Sequence, residues 1–106
     1  MIFNALYKSS QKGELIIEKG GMCHWHLRKN GQITIREIIV LPEYQRMYIG
    51  TNILKSLKSV KGAKSIFSKC PAELPANNWY KKMKFELVGQ SYTSTGRKMN
   101  HWELSL

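Results

Sequence analysis

Apolar and polar positions along the first forty residues follow the two-residue period of strands. Residues 14–18 hold the short apolar run Leu15-Ile16-Ile17 between two glutamates, and Gly20-Gly21 reads as the turn that follows. Residues 22–28 form one arm of a hairpin and residues 32–40 the other. Asn30-Gly31 between the arms is the pair favoured by a type I′ turn, because both residues tolerate positive φ. The second arm alternates at first and ends in the unbroken run Ile38-Ile39-Val40, which predicts a central strand covered on both faces at that end. Residues 1–10 show no decisive period and read as either a strand or a frayed terminus.

After Pro42 the period changes. Residues 43–50 read as a loop entering a helix, in which Ile53, Leu54, Leu57 and Val60 form an apolar stripe and Lys55, Lys58 and Lys61 take the other side. Gly62 stops that helix. Residues 65–70 predict a strand, 71–75 a connector, and 76–83 a second helix with Trp79, Tyr80 and Met83 on one face. Strands over 85–89 and 98–104 flank a turn at 94–96. The order β-β-β-helix-β-helix-β-β requires one parallel strand pair across the first helix and antiparallel strands elsewhere. The expected fold is therefore a mixed α/β, mostly antiparallel sheet with a central parallel strand pair and two main helices.

A chain of 106 residues fits a single domain over 1–106, and 42% hydrophobic residues suffice for a core. No apolar run reaches the roughly 18 residues that span a bilayer, and the first residues lack the basic and apolar regions of a signal peptide. A cytoplasmic protein with no membrane contact is expected. Cys23 and Cys70 stand apart, with no metal-ligand spacing around them, and are expected to be free thiols. The net charge is +10, and all seven acids are glutamates. Such an excess points to a polyanionic partner, either a macromolecule or a phosphorylated cofactor.

One segment gives that charge a place. A strand ends at Val40, a loop turns, and a helix opens with Gly50 in its first turn. The first amides of a helix have no internal partners and its dipole is positive there, so such a junction is an anion site. Arg46 adds a cation. Residues 40–54, from Val40 through Pro42, Gln45, Tyr48 and Gly50 to Leu54, resemble the signature V-x-P-x-x-[QR]-x-x-G-x-[GA]-x-x-L-L of the Gcn5-related N-acetyltransferase (GNAT) superfamily. Tyr48 stands where that family carries a glycine. A second stretch, residues 76–85, resembles the family's A-N-x-F-Y-x-K-L-G-F, with Lys84 in place of the glycine. The resemblance runs from about residue 20 to 104.

The resemblance implies an acetyl-CoA-dependent N-acetyltransferase acting on a primary amine. It implies that the loop amides of Gln45, Arg46, Met47, Tyr48, Ile49, Gly50 and Thr51 hold the pyrophosphate, and that the backbone of Ile38, Ile39 and Val40 binds the pantetheine arm. That arm is expected in a gap between the two parallel strands. Asn77 joins the implied cofactor-binding set, and Tyr80 matches the family's acid for the departing thiolate. Tyr48 is compatible with this site if its φ is negative and its ring points outward. Glu37, near the end of an apolar strand, is the candidate base, with partial burial expected to raise its pKa; an ion pair with Arg28 or Arg36 is the plainer alternative. His24 and His26 share a strand face and are further candidates. No metal is expected. With about ten residues ahead of the first strand, the acceptor side is expected to be open. Such a basic rim suits a protein lysine or terminus, or a modified nucleic-acid base, unless a homodimer completes the pocket. The competing function is a non-catalytic basic binding module on the same fold.

Overall fold

The computed structural model describes residues 2–106. Helix α1 spans Ile2–Gln11, followed by strands β1 (Leu15–Glu18), β2 (Gly21–Leu27) and β3 (Gln32–Val40). A 3₁₀ turn at Pro42–Tyr44 leads to α2 (Ile49–Lys58), β4 (Ser65–Pro71), α3 (Ala76–Lys82), β5 (Glu86–Tyr92) and β6 (Lys98–Ser105). The six strands form one sheet in the order β1-β2-β3-β4-β6-β5. Only β3 and β4 run parallel; the other four pairings are antiparallel.

The core sits on one face of this sheet, and a bulge in β3 decides which residues reach it. Ile35 pairs with Trp25 and Glu37 with His24, so Arg36 has no partner on β2. Paired residues share a face, so the extra residue shifts the phase of alternation. Ile33, Ile35, Ile38 and Val40 all lie on the face of Leu27, Trp25 and Cys23. Thr34, Glu37 and Ile39 lie on the other face with His26, His24 and Met22. Ile53, Leu54 and Leu57 of α2 pack with Ile33, Ile35 and Ile66 in the core, and Tyr80 of α3 packs with Phe85, Cys70 and Trp102. The expectation that the end of β3 is covered on both faces is corrected: Ile39 is 42% exposed, and Ile17, across Met22 in the same row, is 75% exposed.

Two local expectations also change. Residues 2–11 are helical, neither strand nor frayed. Phe3 and Tyr7 stack one turn apart, Gln11 Nε2 donates to the Tyr7 hydroxyl, and Gly13 at φ 73° ends the helix. The hairpin turn is longer than a two-residue type I′ loop. The Gly31 amide donates to the Arg28 carbonyl and Arg28 N–H donates to the Gln32 carbonyl, and Gly31 alone in the loop has positive φ. That is a type I turn closed by a left-handed glycine. Asn30 contributes through its side chain, which accepts from the Gln32 amide.

Tyr48 and Lys84 are the two described non-glycine residues with positive φ, at 61° and 73°. Both occupy positions where the family pattern has glycine, so the backbone keeps the conformation while the side chain opposes it. Lys84 closes α3: its amide donates to the Lys81 carbonyl, and the Phe85 amide reaches back to the Tyr80 carbonyl. Replacing either residue by glycine removes the left-handed cost, about 1 kcal/mol per site. Lys84→Gly and Tyr48→Gly are each expected to raise the urea midpoint without changing its slope. A lowered midpoint for Lys84→Gly would show that its side chain is worth more than the strain.

Candidate functional site

The parallel strands part company at the bulge. Pairing joins Gln32–Ile35 to Ser65–Ser68 and stops there, although β3 continues to Val40 and β4 to Pro71. The bulged strand bends away from its neighbour and opens a fork between the two. The Leu41 amide donates to the Gly20 carbonyl, which sets the alternation of backbone groups beyond the bulge. Ile39 and Leu41 turn theirs toward β2, so Ile38 and Val40 turn theirs into the fork. Of the three backbone positions expected to bind an extended arm, Ile38 and Val40 face the gap and Ile39 faces Met22. The Gln45 side chain donates to the Val40 carbonyl at 3.3 Å and so braces the strand end.

The loop beyond Val40 is built to present amides. Pro42 starts a tight turn in which the Tyr44 and Gln45 amides bond to Leu41 and Pro42, and the Met47 amide bonds to Tyr44. The next amide bonded to the main chain is Asn52, which donates to the Tyr48 carbonyl in the first turn of α2. Among the described residues, no protein acceptor serves the amides of Arg46, Tyr48, Ile49, Gly50 or Thr51. Five free donors around a helix N-terminus suit a phosphorylated ligand. Met47, expected in that set, has its amide engaged. The expected negative φ of Tyr48 is not found, but its ring does point outward, 74% exposed.

Packing fixes the loop on two sides. A Cβ at Gly20 would lie 2.2 Å from the Tyr44 ring, so the ring rests on that glycine. A Cβ at Gly50 would lie 3.0 Å from Trp79 Nε1, so α3 buttresses the first turn of α2. A depression of about 470 Å³ beside the loop is lined by Lys19, Glu43, Tyr44, Met47 and Ile49.

Tyr80 lies at the apex of the fork. It is 3% exposed, stacks on Trp102 with ring centroids 6.0 Å apart, and meets Trp79 and Phe85 edge-on. Its hydroxyl is 2.8 Å from Ser68 Oγ, and Ser68 is the last residue of β4 paired with β3. Burial pushes the phenol pKa up to about 12, outweighing the Ser68 hydrogen bond that lowers it. Tyr80 therefore stays protonated, and can donate, throughout the neutral range. Ser68 is the partner that sequence reasoning missed. The only available signal was its place on the strand facing the tyrosine.

The remaining expected residues separate from this centre in different ways. Glu37 is exposed, so the expected partial burial is corrected, and neither ion pair among the described residues involves it, Arg28 or Arg36. It sits opposite His24 on the face away from α2 and α3, and His24 is buried there. His26 is paired with Glu14. Asn77 has no side-chain group left for a ligand. Its Nδ2 donates to the carbonyls of Pro71, Ala72 and Leu74, and its Oδ1 accepts from Asn100 Nδ2 and Trp102 Nε1. Cys23 and Cys70 are free and buried, and burial raises both thiol pKa values, that of Cys23 to about 12. No group of three or more metal-ligating side chains occurs among the described residues.

Comparison with known proteins agrees with this geometry. The family model of the acetyltransferase (GNAT) domain matches residues 5–87. A solved structure from Desulfovibrio desulfuricans, assigned to the GNAT acetyltransferases, superposes with a TM-score of 0.77 at 12% identity, over 96% of this chain and 77% of that one. The ribosomal-protein alanine N-acetyltransferase of Escherichia coli gives 0.69 at 19% identity, over 94% and 74%. A Bacillus anthracis protein assigned as a streptothricin acetyltransferase, solved with acetyl coenzyme A, gives 0.73 at 17%, over 82% of this chain but 56% of its own length. The chain thus spans little more than half of that last protein. No curated protein sequence matches the chain significantly.

The saturated Asn77 side chain makes a stability prediction. Asn77→Ala leaves the buried Trp102 Nε1 without an acceptor and frees three connector carbonyls. Each buried unsatisfied group costs about 1–3 kcal/mol, so a loss of roughly 3 kcal/mol is expected in urea unfolding. A loss near zero would mean that water replaces the amide and that Asn77 is available to a ligand.

Proposed function

Because the chain belongs to the GNAT acetyltransferase family, we propose that it moves the acetyl group of acetyl-CoA to a primary amine on a macromolecule. One observation carries the proposal: five unpartnered amides ring the mouth of a fork whose apex holds a protonated, buried tyrosine. Arg46, Tyr48, Ile49, Gly50 and Thr51 donate to the pyrophosphate, and Arg46 adds its charge. Ile38 and Val40 bond the pantetheine arm along the open edge of β3, as an extra strand would. Acetyl-CoA supplies an activated thioester carbonyl. In the transfer, the amine nitrogen bonds to that carbon, the carbon–sulfur bond breaks, and the amine gives up a proton. Tyr80 donates a proton to the departing sulfur, and Ser68 holds the hydroxyl in place for that donation.

The acceptor approaches the face opposite α2 and α3. Ile17, Met22 and Ile39 form a cross-strand apolar row there, with Ile17 and Ile39 exposed. Glu37, exposed on the same face beside the fork, takes the proton from the amine. The exposed side chains of Ile17, Ile39 and Glu37 support a protein segment as acceptor over a small molecule enclosed in a pocket. Tyr48 and Lys84 stand where the family pattern has glycines, a departure that favours the competing binding module. Both keep the left-handed backbone that glycine would supply and both side chains are exposed, which supports retained cofactor binding even though Tyr48 lacks the negative φ expected of it.

Calorimetry with acetyl-CoA is expected to show one binding site per chain, and folded protein that binds none at millimolar concentration would sink the proposal. Tyr80→Phe keeps the ring packing and loses one donor. Its affinity for acetyl-CoA should hold while the transfer rate falls about 10²-fold. Ser68→Ala should show the same split with a smaller fall. With its phenol pKa near 12, Tyr80 should cause no loss of rate between neutral pH and about pH 10. A Tyr80→Phe variant with wild-type turnover would assign the residue to packing.

A further inference from the structure

Residues 44–72 contain no acid and six cations: Arg46, Lys55, Lys58, Lys61, Lys64 and Lys69. The fold gathers part of this run with the β2–β3 turn at the end of the molecule away from the fork. The Lys64 amide donates to the Gly31 carbonyl at 2.7 Å, and a Cβ at Gly31 would lie 2.9 Å from the Lys64 side chain. A Cβ at Gly62 would lie 3.9 Å from Leu27 at the base of the same turn. Lys29 on the turn therefore joins Lys55 and Lys58 on the last turns of α2, and Lys61 and Lys64 beyond it. All five are exposed. The two ion pairs among the described residues, His26–Glu14 and Arg97–Glu73, involve none of them. Glu86 and Glu103 face each other on β5 and β6, on the sheet face opposite α2.

We propose that Lys29, Lys55, Lys58, Lys61 and Lys64 form a docking surface for the phosphate backbone of a double-stranded nucleic acid. Uncompensated cations in one patch match a polyanion and contribute by releasing its counterions. The choice of a duplex follows from what the patch lacks. The exposed aromatic residues Phe3, Tyr7, Tyr48 and Tyr92 lie on α1, on the α2 entry loop and at the end of β5. None stands among the five lysines to stack an unpaired base. Backbone contact without base contact fixes position and carries no sequence preference. The patch is also separate from the five free amides. Gly50 and Lys58 stand at opposite ends of α2, about 12 Å apart at 1.5 Å per residue, so both sites can be filled together. The proposal does not depend on the acetyl-transfer reading.

The test is fluorescence anisotropy with labelled random-sequence duplex DNA and duplex RNA of about 20 base pairs, titrated at several salt concentrations. Both should bind, and the DNA slope of log K against log salt should be about −4.5, as five phosphate contacts require. Lys58→Glu, Lys61→Glu and Lys64→Glu together should weaken binding at least about 10-fold and flatten the slope by about 3. The same three positions changed to Gln provide a variant with less self-repulsion, and circular dichroism checks both folds. The control changes Lys8, Lys12 and Lys98 to Glu, altering net charge equally on other surfaces. Equal loss in the control overturns the proposal, since net charge alone would then explain binding. Tighter binding of a poly-glutamate probe, or of single strands, overturns it as well. So does displacement of the duplex by acetyl-CoA. If the lysines only complement the C-terminal dipole of α2, their loss lowers stability and leaves the anisotropy unchanged, which is a fourth negative result.

Discussion

Arg36 has no partner across β2, and the geometry of the site descends from that one unpaired residue. An ordinary strand would keep bonding its parallel neighbour to the end, leaving no room for a third chain. The bulge bends β3 where its pairing with β4 stops. It thereby exposes alternate backbone groups at Ile38 and Val40. It also rotates the strand by one residue, so that Ile38 and Val40 join Ile33 and Ile35 over the core and Glu37 turns outward. A single inserted position thus provides the opening, the free hydrogen-bonding edge and the division of side chains between the two faces.

The core holds this opening rigid from one side. Tyr80, Trp102, Phe85 and Trp79 form a connected aromatic group beneath the fork. Asn77 fixes the start of α3 to both the connector and β6 through five hydrogen bonds. A buried polar group so fully satisfied specifies one arrangement, because any shift leaves several partners unpaired. The tyrosine hydroxyl is therefore placed by packing on every side, with Ser68 settling its direction. The opposite face carries no such group and is left accessible around Ile17 and Ile39.

From β1 onward the element order and the parallel pair were legible in the sequence, because the apolar period and Asn-Gly report local backbone preferences. The bulge was not. Ile38-Ile39-Val40 looks like a strand buried on both sides, when it is alternation with its phase reset at Arg36. The partial burial expected for Glu37 failed for the same reason, since one residue of slip moves a side chain to the other face. Helix α1 was missed because its stacked Phe3 and Tyr7 lie on its exposed side, which hides the usual core period. The saturation of Asn77 and the Ser68–Tyr80 hydrogen bond were not legible, since each involves a partner at least twelve positions away, on β6 or on α3. The glycine replacements at Tyr48 and Lys84 were visible. That both positions keep a glycine-like backbone is set by the turns they close, which no local sequence preference reports.

The contact of Trp79 with Gly50 ties the loop and α3 to one point. The indole that sets the spacing of the anion loop belongs to the same helical turn as Tyr80, one residue later. Any ligand that shifts the first turn of α2 presses on that ring, and any change in the ring alters the room at position 50. The two positions are thus coupled: a smaller side chain at 79 leaves room for alanine at 50, while beside the indole a Cβ at 50 would sit 3.0 Å from Nε1 and one of the two must give by a few tenths of an ångström. Related sequences should consequently carry their variation at this joint in matched steps, so that the loop backbone and the position of Tyr80 are inherited as one unit.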